Sequence, residues 1–109
     1  MASKQSTVEY IAEQIAQAGN IRYHKMFGEY ALYCNEKVVA FVCDDQLFLK
    51  PTASGRALIE VLEEAPAYPG SKMYYLISPD LWEDRELMTK LIVATASALP
   101  PPKVKKKKG

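Results

Sequence analysis

Apolar residues recur at intervals of three and four near the start of the chain, at Val8, Ile11, Ala12, Ile15 and Ala18. This spacing places them on one face of a helix. Ser6 and Glu9 have the spacing of a capping box, in which each side chain binds a free amide at the helix start. Gly19 and Asn20 are typical of a left-handed stop. The pattern predicts a first helix over residues 7–18.

Four β-rich runs follow, over residues 21–27, 29–34, 37–43 and 46–50. Gly28, the pair Asn35 and Glu36, and the pair Asp44 and Asp45 separate them. Such short separators require antiparallel neighbours, because a parallel crossover needs about a dozen residues. We therefore expect a meander of three hairpins, in which Cys34 pairs with Lys37 and Cys43 lies opposite Gly28. The two adjacent aspartates are interpreted as turn residues.

The second half of the chain predicts a helix, a strand and a further helix. Leu58, Val61 and Leu62 form one stripe within residues 54–64, and residues 73–77 have strand composition. Ser78 and Pro79 favour a helix start, and this last helix should run to about Ala98. The expected fold is α+β, with an antiparallel sheet of about five strands packed by helices in the order α-β-β-β-β-α-β-α. Residues 1–99 should form the domain, and residues 100–109 a disordered tail rich in proline and lysine.

Charge is unevenly distributed along the chain. The formal net charge is +1, but five of the 14 basic residues lie in the last seven positions. The rest of the chain then carries 9 basic and 13 acidic residues. The longest apolar runs, residues 38–43 and 91–99, are far shorter than the ~20 residues of a membrane span. Residues 1–7 lack the apolar core of a signal peptide, so we expect a cytoplasmic protein.

Candidate chemistry is sparse. Cys34 and Cys43 should be about 20 Å apart along a hairpin and remain reduced thiols. His24 is the only histidine, so a metal site is not expected. A general acid or base could still be assembled from His24, Glu29 and Tyr75. The sequence favours a protein without enzymatic activity or cofactor.

Three short motifs resemble one known family. They are the turn residues Met26, Phe27, Gly28, Tyr30, Leu32 and Tyr33, the strand that ends at Lys50, and the run that contains Tyr74 and Tyr75. Together with the order of elements over residues 7–98, they are similar to the N-terminal domain of the TfoX/Sxy family. The resemblance implies one antiparallel sheet packed by helices and a coactivator role in regulating competence genes. The family often has a second glycine after Gly28, where this chain has Glu29. Its longer regulators carry a second, C-terminal domain, and this chain has the lysine tail there instead.

Two functional hypotheses follow, with an unrecognised enzyme as a third. The first is a non-enzymatic interaction module in transcriptional regulation, which binds a protein of the transcription machinery or a regulator. The second is a nucleic-acid-binding protein with a tyrosine-rich sheet face, since the chain has seven tyrosines. Arg22, Lys25 and Lys50 would flank that face. Weak, non-specific contacts would come from the tail lysines Lys103, Lys105, Lys106, Lys107 and Lys108.

A homodimer is a further hypothesis. Residues 38–43 are apolar at both alternating sets of positions, as in a strand that is covered on both sides. We therefore expect a second copy of the chain to close the helix-free face of the sheet.

Overall fold

A computed structural model describes residues 4–26, 29–59 and 62–100. Helix α1 spans Gln5–Gln14 and is followed by a 3-10 turn at Ala16–Ala18. The strands are β1 (Ile21–Met26), β2 (Glu29–Cys34), β3 (Lys37–Cys43), β4 (Gln46–Leu49), β5 (Glu63–Pro66) and β6 (Met73–Ile77). Helix α2 (Ala53–Arg56) lies between β4 and β5, and α3 (Pro79–Trp82) and α4 (Arg85–Ala98) follow β6. The predicted α+β class is confirmed. Gly28 and the predicted tail from position 101 onward lie outside the described residues.

All strand pairs in the single sheet are antiparallel, and the strand order is β1-β2-β3-β4-β6-β5. The predicted meander of β1 to β4 is confirmed. Asn35 and Glu36 have φ values of 53° and 69°, and Asp44 and Asp45 have 53° and 57°. Positive φ at both central residues is the type I′ geometry that suits the twist of a two-residue hairpin. The aspartate pair is therefore a turn, as predicted.

Two details of the predicted second half are wrong. The second helix does not run through residues 54–64, because Glu63 and its neighbours pair with β6 as a sixth strand. Backbone pairing to an existing strand outweighs the weak helical pattern there. The last helix begins at Pro79 as predicted, but it breaks after Trp82. Asp84 then caps α4 by accepting a hydrogen bond from the amide of Leu87 at 3.1 Å.

A β-bulge in β3 changes the register of the central hairpin. Cys34 pairs with Lys37 as predicted, but Tyr33 pairs with Val38 and Leu32 with Ala40, which leaves Val39 as the extra residue. The predicted partner of Cys43, Gly28, lies outside the described residues, but Cys43 itself is placed by the shifted register. It follows Val42, the partner of Tyr30, and the amide of Asp44 donates to the carboxylate of Glu29 at 3.2 Å.

The bulge also places Cys43 on the opposite face of the sheet from Cys34. Cys34 is buried in the main core, and Cys43 is buried in a smaller cluster on the other face of the sheet. Both thiols are free, as predicted. Burial raises the pKa of Cys34, and it raises the pKa of Cys43 to about 11 with help from the charges of Glu29 and Asp44.

The main core lies between the helices and one face of the sheet. Its fully buried side chains include Val8, Ile11, Ile15, Leu32, Leu47, Leu49, Ile77, Met88, Leu91 and Ile92. A polar bridge joins the helices at one end of this core. Gln14 Nε2 donates to the carbonyl of Trp82 at 2.7 Å, and Arg85 donates to Gln14 Oε1 at 3.1 Å. At the other end, Lys37 Nζ donates to the carbonyls of Ala96 and Leu99 at the end of α4, at 2.6 and 3.1 Å.

The predicted capping box of α1 is wrong. Lys4 occupies the N-cap position, and no side chain of its own segment caps the helix. Instead, Asp45 Oδ1 in the β3–β4 turn accepts hydrogen bonds from the amide of Lys4 at 2.8 Å and from Thr7 Oγ1 at 2.9 Å. These two bonds, the first being the stronger cause, lower the pKa of Asp45.

The end of α1 also differs from the left-handed stop that we predicted. Gly19 has φ 158° and ψ −155°. A side chain here would meet Asn35, whose amide group lies 2.9 Å from the position of a Cβ. Glycine is favoured here, because other residues rarely adopt this φ and a Cβ would displace the Asn35 side chain.

Among residues 4–26, 29–59 and 62–100, no helix is both long enough and apolar enough to cross a membrane.

Candidate interaction surface

The face of the sheet opposite the main core carries a second apolar cluster. Cys43, Phe48 and Ala67 are buried in it, and Phe41, Ala65, Tyr74 and Leu76 are partly buried around them. None of the described helices contributes a side chain to this cluster. We call Phe41, Phe48, Tyr74 and Leu76 the apolar patch.

The apolar patch follows directly from strand register. Phe41 of β3 pairs with Phe48 of β4, which pairs with Leu76 of β6, so the three side chains form one row across the sheet. Tyr74 lies two residues before Leu76 and therefore on the same face. The rings of Phe41 and Tyr74 meet edge to face across β4, with centroids 5.6 Å apart. Phe48 is only 3% exposed.

Two lysines lie beside the apolar patch. Lys50 is two residues beyond Phe48, its amide donates to the carbonyl of Val39 at 2.9 Å, and its side chain is half-buried. Burial lowers the pKa of Lys50, and the positive charge of Lys72 lowers it further. The ion pairs of the described chain join Arg22 to Glu36, Arg56 to Glu64 and Lys90 to Glu86, so neither Lys50 nor Lys72 has a described carboxylate partner.

The other predicted basic contacts are placed differently. Arg22 donates twice to the Glu36 carboxylate, at 2.9 and 3.1 Å, and its guanidinium lies 4.0 Å from the ring centroid of Tyr33. The hydrogen bond raises the pKa of Arg22 and lowers that of Glu36. Lys25 pairs with Tyr30 and projects from the helix side of β1, away from Arg22. The five predicted tail lysines lie outside the described residues.

The seven tyrosines do not form one platform. Tyr30 and Tyr75 are buried in the main core, and Tyr23 packs edge to face on Tyr30 with centroids 5.7 Å apart. Tyr33 and Tyr74 lie on the opposite face, on β2 and β6. Tyr10 and Tyr68 are exposed, on α1 and in the loop after β5. The sequence could not assign these faces without the strand register.

The residues of the family motif have mainly structural positions. Tyr30, Leu32 and Tyr75 are buried against the helices, and Tyr33 contacts Arg22 on the other face. Met26 ends β1 and pairs with Glu29, whereas Phe27 and Gly28 lie outside the described residues. Two motif residues lie at the candidate surface, since Tyr74 is part of the apolar patch and Lys50 borders it. The apolar residues 38–43 were the sequence signal for this surface, but Phe48 and Leu76 were not recognised as part of it.

The candidate acid and base groups are not brought together. His24 is exposed on the face that carries the apolar patch, whereas Tyr75 is buried on the helix side. Glu29 lies next to the β3–β4 turn and accepts from Asp44. Among the residues that the structure describes, no group of three or more His, Cys, Asp or Glu side chains is arranged to hold a metal ion.

Comparison with known proteins identifies the family. The TfoX N-terminal domain family matches residues 13–99. A protein of Spirochaeta aurantia, described as an uncharacterized 12.7 kDa protein in the trpE 5′ region, is 42% identical over 108 residues. The match covers 99% of this chain and 93% of that relative. The extent of the family match, together with the α+β fold, shows that the chain belongs to the TfoX N-terminal domain family.

Proposed function

We propose that this protein is a non-enzymatic interaction module in transcriptional regulation, which binds a protein partner through the apolar patch. The observation that carries the proposal is the aromatic cluster of Phe41, Phe48 and Tyr74 on a sheet face without a described helix over it. Phe48 is buried beneath its neighbours, while Phe41, Tyr74 and Leu76 remain partly exposed. Apolar side chains that cluster at a surface mark interaction sites, and aromatic residues supply much of the binding energy in protein interfaces. The link between the family and competence regulation supports the regulatory context.

The charges beside the apolar patch indicate the chemistry of the partner. Lys50 is half-buried. Its pKa is lowered by burial and by the nearby positive charge of Lys72. A half-buried cation without a carboxylate loses hydration and gains no ion pair in return. A partner that places an acidic side chain beside its own apolar residues would compensate this loss. The partner surface is therefore apolar with an acidic border.

The test is affinity capture by the intact protein from cells of its source, with and without nuclease. We expect RNA polymerase or a transcription factor to be retained after nuclease treatment. Tyr74→Ala and Lys50→Glu should each release it. Val93→Ala is the matched control, because Val93 is an exposed apolar residue on α4. Retention of the same partner by Tyr74→Ala would contradict the proposal.

A second copy of the chain is the other protein that this surface could accept. Sedimentation at micromolar concentration would then show a species near twice 12.2 kDa. If Tyr74→Ala converted that species to a monomer while no transcription protein was captured, the patch would serve self-association alone and the proposal would be wrong.

Nucleic acid is the second candidate ligand. It is favoured by the Arg22 guanidinium on Tyr33 and by the lysines beside Tyr74, since aromatic rings and cations on one face suit single-stranded bases and phosphates. Loss of the captured protein after nuclease treatment would support this candidate over a direct protein contact.

A further inference from the structure

Strand β1 is one edge of the described sheet, and the main-chain groups that face away from β2 can be identified. The amide of Asn35 donates to the carbonyl of Asn20 at 2.9 Å, immediately before β1 begins. In an antiparallel pair, residues alternate between those that bond to the partner strand and those that face away. The amides and carbonyls of Ile21, Tyr23 and Lys25 therefore point away from β2.

A groove of about 840 Å³ runs along this edge, between β1 and α1. Ala12, Ala16 and Ile21 provide apolar parts of its lining, and Glu9 and Glu13 add two carboxylates from α1. Tyr23 donates to Glu9 at 3.3 Å and so links the helix to the strand beside the groove. The edge thus has two features that an extended ligand needs, which are main-chain groups that pair with no described strand and a lined space for alternate side chains.

The spacing of the two carboxylates is close to the spacing of side chains on one face of an extended strand. Glu9 and Glu13 are one helical turn apart, which corresponds to about 6 Å along α1. Side chains on the same face of a strand are about 6.6–6.8 Å apart. Two basic side chains at alternate positions of an added strand would therefore both reach a carboxylate, with their aliphatic stems over the alanines.

From this geometry we infer that the groove binds an extended segment of a partner protein, which adds to β1 as a seventh strand. Two lysine or arginine residues at alternate positions of the segment face Glu9 and Glu13. This site is separate from the apolar patch, which lies on the other face of the sheet, and it does not depend on the proposed function.

Charge argues against a second copy of this chain as the occupant. A second β1 carries one cation, Lys25, on its helix side and has Arg22 on the other face, so it does not offer a basic side chain to both carboxylates. Its own α1 would also bring Glu9 and Glu13 towards the same carboxylates. A second copy therefore matches the two carboxylates less well than a segment with basic residues at alternate positions.

The test uses the intact protein and the peptide acetyl-Ser-Lys-Thr-Lys-Thr-amide, with binding followed by NMR. We expect the amides of Ile21, Tyr23 and Lys25 to become protected from hydrogen exchange, while the exchange of Arg22 and His24 remains unchanged. A peptide with glutamate in place of both lysines should not bind. A peptide of the same composition with adjacent lysines should bind more weakly, because only one lysine then faces α1.

Variants of the protein test the role of the carboxylates. Glu13→Gln should weaken binding of the alternating peptide by up to about fivefold, as expected for an exposed ion pair. Glu86→Gln, an exposed change of the same kind on α4, should have no effect. Equal binding of the glutamate peptide would overturn the inference. So would equal protection of the Arg22 and His24 amides, or protection of the Ile21, Tyr23 and Lys25 amides in a dimer of the protein without peptide.

Discussion

Asp45 shows how one residue can serve two elements. It occupies a left-handed position in the β3–β4 turn, and its carboxylate binds the first turn of α1. An aspartate tolerates positive φ better than most residues, and a carboxylate is also favoured at a helix N-terminus. The sequence identified the first role. The second could not be predicted, because it joins residues 41 positions apart.

The change Asp45→Asn tests the second role. Asparagine keeps the shape and the preference for positive φ, so the variant removes mainly the charge. Because the folded pKa of Asp45 is lowered, its contribution to stability is complete above its usual pKa of 3.8 and is lost as pH falls through the folded value. Thermal melts should therefore show a lower Tm than wild type at pH 7 and a shrinking difference below pH 3.8. Asp44→Asn, at the adjacent left-handed position, is the control. A difference that stayed constant with pH would contradict this role.

Thr95, unlike Asp45, has a side-chain oxygen that forms no hydrogen bond to any described residue. Its side chain is fully buried on α4, and Oγ1 has no hydrogen-bond partner among the described residues. Burying an unpaired hydroxyl costs free energy. Thr95→Val keeps the shape and removes the hydroxyl, so we expect the free energy of unfolding to rise by about 1 kcal/mol. Urea denaturation would measure it, with Thr95→Ser as the variant that keeps the hydroxyl. A clear loss of stability in the valine variant would show that Oγ1 has a partner.

At the scale of elements, the end of α4 depends on a residue from the sheet. Lys37 begins β3 and donates to two carbonyls at the end of this helix. A cation at this position satisfies free carbonyls and interacts favourably with the helix dipole.

We therefore expect Lys37→Met, which keeps the aliphatic stem, to lower the free energy of unfolding by about 0.5–1 kcal/mol. Chemical denaturation would measure the loss, and Lys37→Arg should retain most of the stability. Equal stability of the methionine variant and wild type would rule out this contribution.

How well each element was predicted depends on where its determinants lie. Strands β1 to β4 were predicted because alternation and two-residue turns are local signals. The bulge at Val39 was missed because residues 38–43 are apolar on both faces, so the pattern does not mark the extra residue. Strand β5 was missed because Glu63 and Glu64 have low strand propensity and form a strand only by pairing with β6. The apolar patch was foreseen as a two-sided strand, but its members on β4 and β6 required the register.

At the scale of the whole molecule, the predicted lysine tail separates the two ligand classes. If all five lysines displace counterions from duplex DNA, the logarithm of the binding constant should fall with the logarithm of the salt concentration with a slope of roughly −4. Such binding carries no sequence information. Under the proposed function, deletion of residues 103–109 should abolish most DNA retention and leave the protein partner bound. Fluorescence anisotropy with labelled DNA, at low and moderate salt, would measure this. Micromolar, salt-resistant binding by the truncated protein would favour nucleic-acid recognition by the folded part.

The two ends of the sheet differ in a way that limits how large any assembly can become. β5 is four residues long, carries two glutamates, and includes Pro66, which has no amide to donate. β1 is six residues long and contains no proline. A fibre can grow only if both sheet edges of every subunit can pair, because each subunit must join a neighbour on both sides. Because β5 is a poor acceptor of a further strand, addition to this sheet is confined to the β1 edge and cannot propagate from subunit to subunit into a fibre.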